Sequence, residues 1–168
     1  LLEGLPPVSR CLGDLPAALS EPATLRPMRS DDLDAVLAIE LAAYPFPWTR
    51  GIFEDCLRNG YRAWVIHRGA MVCGYGLLSF GAGEAHVLNL CVDASQRRRG
   101  LGLVLLDRLL DDARIMGAQR VFLEVRPSNF EAVTLYHQRG FHLITRRPNY
   151  YPSSSGREDA LVMAMELL

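Results

Sequence analysis

The chain lacks features that would assign it to several common protein classes. None of its 168 residues is lysine, so arginine supplies all 18 basic side chains against 19 acidic ones, and the net charge of −1 argues against a nucleic-acid coat protein. Four cysteines without a CxxC pair argue against a zinc ribbon or a disulfide scaffold and predict reduced thiols in the cytoplasm. No apolar run approaches the roughly 20 residues of a membrane span, and no secretory signal is visible at the start. We therefore expect neither a nucleic-acid nor a membrane partner.

Histidines are also too few and too scattered to indicate a metal site. The four of them show no spacing that is typical of ligands, and they are His67, His86, His137 and His142. We therefore predict that the protein holds no metal ion.

Hydrophobic residues make up 49% of the chain, which is enough for one sizeable core in a single domain. Residues 1–23 differ from the rest, because prolines break any regular pattern there. We interpret 1–23 as a partly ordered N-terminal extension and 24–168 as the compact domain.

Hydrophobic periodicity and turn residues predict the order β-α-α-β-β-β-α-β-α-β-β, an α/β (α+β) domain. The predicted strands are 24–28, 61–68, 71–80, 83–92, 120–126, 141–147 and 160–167. The predicted helices are 30–44, 49–57, 101–116 and 129–138. We expect side-chain caps from Ser30, Thr49 and Ser128, and a polar loop between the last two strands.

A glycine-containing turn joins the strand that ends at Val92 to the helix that begins at Leu101. Such a turn aims backbone N–H groups at an anion, and three consecutive arginines, 97–99, add positive charge. The turn contains no GK[ST] of a Walker motif, and it lacks the third glycine of a dinucleotide fingerprint. Either the turn binds phosphate, or the arginines are a solvated charge run.

The segment RRRGLG fits the R/Q-x-x-G-x-G/A loop of the GNAT acetyltransferase superfamily, which the chain resembles over residues 24–168. The resemblance implies a mixed, mostly antiparallel sheet of about seven strands flanked by about four helices and splayed between strands 4 and 5. Finer motifs are similar to those of the bacterial RimI family, whose members acetylate the N-terminal alanine of a small-subunit ribosomal protein. Those motifs are FPW at 46–48, NLCV at 89–92, LEVR at 123–126, and RPNYYP at 147–152 with GREDA at 156–160.

This resemblance implies that acetyl-CoA is the cosubstrate and that an N-terminal peptide of a ribosomal protein is the acceptor. It assigns cosubstrate contacts to Leu90, Cys91, Val92, Arg97, Arg98, Arg99, Gly100, Leu101, Gly102, Leu103 and Asn129. Asn129 could equally be an ordinary first-turn helix residue. Residues 1–23 have no counterpart in the short RimI chains.

Two residues are candidates for proton transfer. Glu124 lies on the opposite face of its strand from Leu123 and Val125, where a carboxylate could take a proton from an amine. The alternative is a surface glutamate paired with Arg126. Tyr136 could give a proton to a departing thiolate, since it lies two helical turns after the start of its helix; the alternative is a core aromatic. The resemblance favours the catalytic interpretation of both.

Four aromatic residues are candidates for gripping the acceptor: Phe46, Trp48, Tyr150 and Tyr151. We place Tyr150 and Tyr151 in the loop before the last strand, where packing of one of them into the core is an open alternative. A GNAT enzyme for lysine side chains or small amines, and a silent acetyl-CoA sensor, remain alternative functions.

Overall fold

The computed structural model describes residues 21–167, so most of the proposed N-terminal extension lies outside the described residues. Within them the chain forms the predicted order of four α-helices and seven strands. The helices α1 to α4 are Leu33–Ala43, Arg50–Arg58, Leu101–Ile115 and Phe130–Arg139. The strands β1 to β7 are Thr24–Pro27, Arg62–Arg68, Met71–Gly81, Glu84–Val92, Arg120–Val125, His142–Ser153 and Gly156–Glu166. No helix in this part of the chain is long and apolar enough to cross a membrane.

All seven strands belong to one sheet with the order β1-β2-β3-β4-β5-β7-β6. Every neighbouring pair is antiparallel except β4 and β5, which run parallel because α3 connects them as a crossover. The expected mixed, mostly antiparallel sheet of seven strands with four helices is confirmed.

The sheet is splayed between β4 and β5, as expected. The two strands pair only from Glu84 opposite Arg120 to Val87 opposite Leu123. The β3–β4 register shifts at this point, since Leu77 pairs with Asn89 and Leu78 with Val87. Such a bulge bends its strand. The carboxyl-terminal half of β4 therefore diverges from β5, and its backbone groups on that side are available to a ligand.

Helices cover both faces of the sheet and form two principal core clusters. On one face α3 packs Leu106, Leu109 and Leu110 against β5 and Phe141. On the other face α1 and α2 pack against β3, where Phe53 of α2 meets Tyr75 edge to face. Alternate residues of a strand point to opposite faces, and helices cover both of these faces. The central strands are therefore buried on both sides.

Two of the three predicted helix caps are wrong. Residues Ser30–Asp32 form a 3₁₀ turn, and the Asp32 carboxylate reaches back to accept from the Arg29 backbone N–H at 2.8 Å. At α4 the cap is Asn129 rather than Ser128, because the Asn129 side chain accepts from the Ala132 N–H at 3.2 Å. Thr49 caps α2 as predicted.

The last hairpin is much longer than its predicted strands. Pairing continues from Tyr151 opposite Glu158 to Ser153 opposite Gly156, so Tyr150 and Tyr151 lie in β6 and not in a loop. Most of β6 is exposed and therefore shows no apolar alternation. Asn149, at φ +53°, lies where the register shifts. The predicted polar loop is thus the outer part of a β-hairpin.

Candidate active site

Two cavities meet on the side of the sheet where β4 and β5 diverge. A large cleft of about 1090 Å³ lies between the start of α3, α4 and the tip of the β6–β7 hairpin. A small pocket of about 280 Å³ lies between the α1–α2 loop, the ends of β4 and β5, and Tyr151. The residues that line both cavities are Tyr44, Leu90, Arg126, Asn129, Ala132, Tyr136 and Pro152. The two cavities therefore adjoin along a shared wall.

The turn before α3 presents its backbone to the large cleft. Gly100 precedes the helix in the left-handed conformation at φ +76°, which glycine adopts without strain. A Cβ added to Gly102 would contact a Leu135 methyl at 3.4 Å and a Val92 methyl at 3.8 Å, so a side chain at this position has little free space. The N-terminus of a 15-residue helix thus faces the cleft with its free N–H groups.

Nearly all residues predicted to contact the cosubstrate line the large cleft. They are Leu90, Cys91, Val92, Arg97, Arg98, Gly100, Leu101, Gly102, Leu103 and Asn129. Arg99 is not among the residues that line it. Arg97 is anchored by a hydrogen bond from its Nε to the Val92 carbonyl at 3.3 Å.

Tyr136 of α4 lies on the shared wall of the two cavities. Its ring packs edge to face against Phe141 at 5.8 Å between centroids, and only 6% of the residue is exposed. Burial raises the pKa of Tyr136 above its usual range, with smaller contributions from nearby Tyr151 and Cys91. At neutral pH the hydroxyl therefore keeps its proton and can donate a hydrogen bond into the cavities. Tyr136 is thus a core aromatic that also lines both cavities.

Glu124 lines the small pocket from β5. Its Oε1 lies 3.3 Å from the Nε of Arg147 on β6, so its cationic neighbour is not Arg126. Arg126 instead pairs with Glu158 at 3.3 Å. The carboxylate of Glu124 also raises the pKa of Tyr150, with burial as a smaller cause.

Three of the four aromatic candidates line the small pocket: Phe46, Trp48 and Tyr151. Trp48 packs against Phe53 at 5.2 Å between ring centroids. Tyr151 lies under the Arg126 guanidinium at 4.4 Å, and burial raises the pKa of Tyr151 to about 12. Tyr150 is exposed and lies outside both cavities, although it contacts Tyr151 at 4.9 Å.

The sequence interpretation missed Glu40, a carboxylate that lines the small pocket from α1. Only 2% of Glu40 is exposed. Its Oε1 accepts from the Trp48 N–H at 3.0 Å, and its Oε2 accepts from the Asn89 amide at 3.0 Å and from the Tyr75 hydroxyl. The sequence contains a signal for this residue. Glu40 comes four residues after the apolar Val36, which places a glutamate on the buried face of the helix.

A carboxylate and a phenol beside a splayed strand and a glycine turn are the arrangement expected of an acetyltransferase. The sequence matches the profile of the Acetyltransferase (GNAT) family over residues 33–141, and the chain belongs to that family. GNAT enzymes use acetyl-CoA, and this protein is an acetyl-CoA-dependent N-acetyltransferase.

Individual proteins of known name are also similar to this chain in sequence and in structure. The chain is 35% identical over 144 residues to the [Ribosomal protein bS18]-alanine N-acetyltransferase of Escherichia coli, covering 86% of this chain and 97% of that protein. The crystal structure of the E. coli ribosomal-protein-S18-alanine N-acetyltransferase superposes with a TM-score of 0.81 at 34% identity, covering 86% and 94% of the two chains. Ard1 from Thermoplasma volcanium superposes with a TM-score of 0.79 at 30% identity, covering 87% and 98%.

Proposed function

We propose that this protein transfers the acetyl group of acetyl-CoA to the N-terminal α-amine of a ribosomal protein that begins with alanine. One observation carries the proposal: a large cleft and a small pocket share a wall that includes Tyr136. The proposal is supported further by a relative named for this activity, nearly all of which the chain covers. The acceptor is produced in the cytoplasm, where we accordingly place the enzyme.

The large cleft suits acetyl-CoA in size and charge. Its volume of about 1090 Å³ slightly exceeds the roughly 300–1000 Å³ typical of ligand sites, as a long ligand requires. Backbone N–H groups at the start of α3 and the side chains of Arg97 and Arg98 suit the pyrophosphate. The free edge of β4 at Leu90–Val92 offers hydrogen bonds to the pantetheine arm and to the thioester carbonyl.

Glu124 acts as the base in this proposal. An ammonium ion has no lone pair, so the acceptor must lose a proton before its nitrogen can attack the thioester carbon. Glu124 lines the pocket that would hold the acceptor and can take that proton directly or through a water. Arg147 lies beside this carboxylate, with its Nε 3.3 Å from the Glu124 Oε1.

Tyr136 assists the departure of the thiolate. As the new C–N bond forms, the C–S bond breaks and negative charge develops on sulfur. The protonated hydroxyl of Tyr136, on the wall between the cavities, donates a hydrogen bond or its proton to that sulfur. Because burial raises the pKa of Tyr136, the hydroxyl remains a donor throughout the neutral range.

Proton affinities favour an α-amine as the acceptor. An α-amino group with a pKa near 7.7 is neutral in roughly one molecule in six at pH 7, whereas a lysine amine near 10.4 is neutral in only about four in ten thousand. A carboxylate is a weak base and is better matched to the chain terminus.

The test is acetyl transfer to a panel of peptides, with the modified atom located by mass spectrometry. The panel contains the N-terminal peptide of ribosomal protein bS18, versions of it that start with serine or methionine, and an N-terminally blocked version with an internal lysine. We expect acetylation of the free α-amine, fastest with alanine. Transfer to the blocked lysine peptide at an equal or higher rate would contradict the proposal.

A further inference from the structure

Glu40 has a different type of partner from Glu124 in the same pocket and from Glu158 in the adjoining large cleft. Glu124 faces Arg147, and Glu158 faces Arg126, each at 3.3 Å. Within residues 21–167 Glu40 forms no ion pair: its three partners are a backbone N–H, an amide and a hydroxyl. These donors satisfy the oxygens of Glu40 but do not cancel its charge.

This charge is buried where it acts strongly on the pocket. Glu40 is 2% exposed, so bulk water and salt screen it less than they screen a surface carboxylate. A unit charge in a partly desolvated cavity attracts a cation far more strongly than it would in water. Among the described residues that line the small pocket, Arg126 is the only arginine, and it is paired with Glu158. The negative charge of Glu40 is therefore not neutralised by the ion pairs around the pocket.

The same hydrogen bonds hold Glu40 in place. Its partners come from the α1–α2 loop, from β3 and from β4, which are separate parts of the pocket wall. Asn89 lies where β4 bends away from β5. A carboxylate tied at three points cannot rotate away when a ligand enters, so its charge is preorganised.

We propose that Glu40 is a specificity-determining residue, whose buried charge makes the small pocket select an acceptor that carries an ammonium group over a neutral one. This inference rests on the proposed function, because a charged amine must be the acceptor. Glu40 acts on the binding of the ammonium form, and Glu124 then removes the proton.

The experiment compares two peptides that differ only in the ammonium group. One begins with alanine, and in the other a propionyl group replaces that residue, which removes the charge without adding bulk. Calorimetry with the protein saturated by coenzyme A measures both affinities without turnover. We expect the wild type to bind the alanyl peptide about tenfold more tightly. Glu40→Gln should lose most of this preference while it binds the propionyl peptide as the wild type does.

Two variants are matched controls. Glu54→Gln removes the same charge from an exposed position on α2 outside both cavities, and it should keep the preference. Tyr75→Phe removes one hydrogen bond to Glu40 but leaves the charge, and it should also keep the preference. If Tyr75→Phe lost the preference for the alanyl peptide and Glu40→Gln kept it, the inference would be overturned.

Several results would contradict the role of Glu40. Equal weakening of both peptides by Glu40→Gln would show a purely structural residue. A wild type without preference would overturn the inference even if Glu40→Gln failed to fold, and so would a folded Glu40→Asp variant that lost the preference. The proposed function fails separately: in that case the wild type would not acetylate the alanyl peptide at all.

Discussion

The large cleft and the small pocket are built in different ways. One wall of the large cleft comes from a nearly continuous stretch, the end of β4 and the turn into α3 at residues 90–103. The small pocket takes its walls from the α1–α2 loop, two diverging strands and the last hairpin, which are far apart in the chain. The first arrangement can be recognised from a local motif, whereas the second depends on how distant elements pack.

The two cavities also differ in charge. Arginines and the N-terminus of α3 make the large cleft attractive to an anion, while Glu40, which forms no ion pair among the described residues, makes the small pocket attractive to a cation. This contrast matches an anionic cosubstrate and a cationic acceptor, and the wall with Tyr136 is where the two would meet. Variants on either side should therefore change one binding step and leave the other intact.

The largest effect is expected from Glu124→Gln, which should lower kcat about 10²-fold or more while the Kd of acetyl-CoA stays unchanged. The variant removes the base from the small pocket and leaves the large cleft intact. Steady-state kinetics and calorimetry measure the two quantities. Glu84→Gln is the control, since Glu84 is at the paired end of β4 far from the splay. If the kcat of Glu124→Gln equalled that of the wild type at every pH between 6 and 9, Glu124 would have no role in the mechanism.

Tyr136→Phe should lower kcat about 10-fold to 10²-fold at pH 7, because the sulfur loses its donor while the ring still packs on Phe141. The deficit should shrink at higher pH, where a thiolate leaves unprotonated more easily. Since the pKa of Tyr136 is raised, ionisation of its hydroxyl should add no alkaline limb to the wild-type profile below about pH 10. A pH series of kcat for both proteins tests this. Full activity of the variant at pH 7 would make Tyr136 a core aromatic only.

Gly102→Val tests the large cleft alone and should weaken acetyl-CoA binding at least about tenfold, because the new side chain would occupy the space beside the helix N-terminus. Gly51→Val is the matched control, since Gly51 is also the second residue of its helix but lies outside both cavities. Both variants should lose similar thermal stability, and only Gly102→Val should lose affinity in calorimetry. Equal affinities in two folded variants would show that the phosphate turn is placed wrongly.

Asp32→Asn should have the smallest effect on activity and should instead lower the free energy of unfolding by about 1–3 kcal/mol. Asp32 holds the start of α1, the helix of the small pocket, through Arg26 at 2.6 Å and the Arg29 N–H. Hydrogen bonds from Arg26 hold the pKa of Asp32 below its usual 3.8. A lowered folded-state pKa stabilises the fold above that usual value, and the stabilisation disappears as the pH falls through the folded-state pKa.

Urea unfolding at pH 7 and at pH 3 measures the difference in the free energy of unfolding between Asp32→Asn and the wild type. The gap should be larger at pH 7 and should narrow at pH 3, and acetyl-CoA affinity should not change. Asp31→Asn is the control, because Asp31 is exposed. A gap that did not change with pH would show that the charge of Asp32 contributes nothing.

Features that depend on neighbouring residues were predicted from the sequence. The order of elements and the glycine turn are correct, because hydrophobic period and glycine act over a few residues. The cap at Asn129 was misplaced by one residue, since both Ser128 and Asn129 have suitable side chains. The outer hairpin was missed because its residues are exposed or only half-buried, so no periodic apolar pattern marks it.

The sequence by itself determined the family, the order of the elements and the glycine turn before α3, because motif and periodicity are local properties of the chain. Only the tertiary structure decided which charges meet. It placed Arg147 and not Arg126 beside Glu124, and it buried Glu40 against Trp48, Asn89 and Tyr75. Electrostatic partners act through space, and the distance between residues along a chain does not specify the distance between their charges after folding.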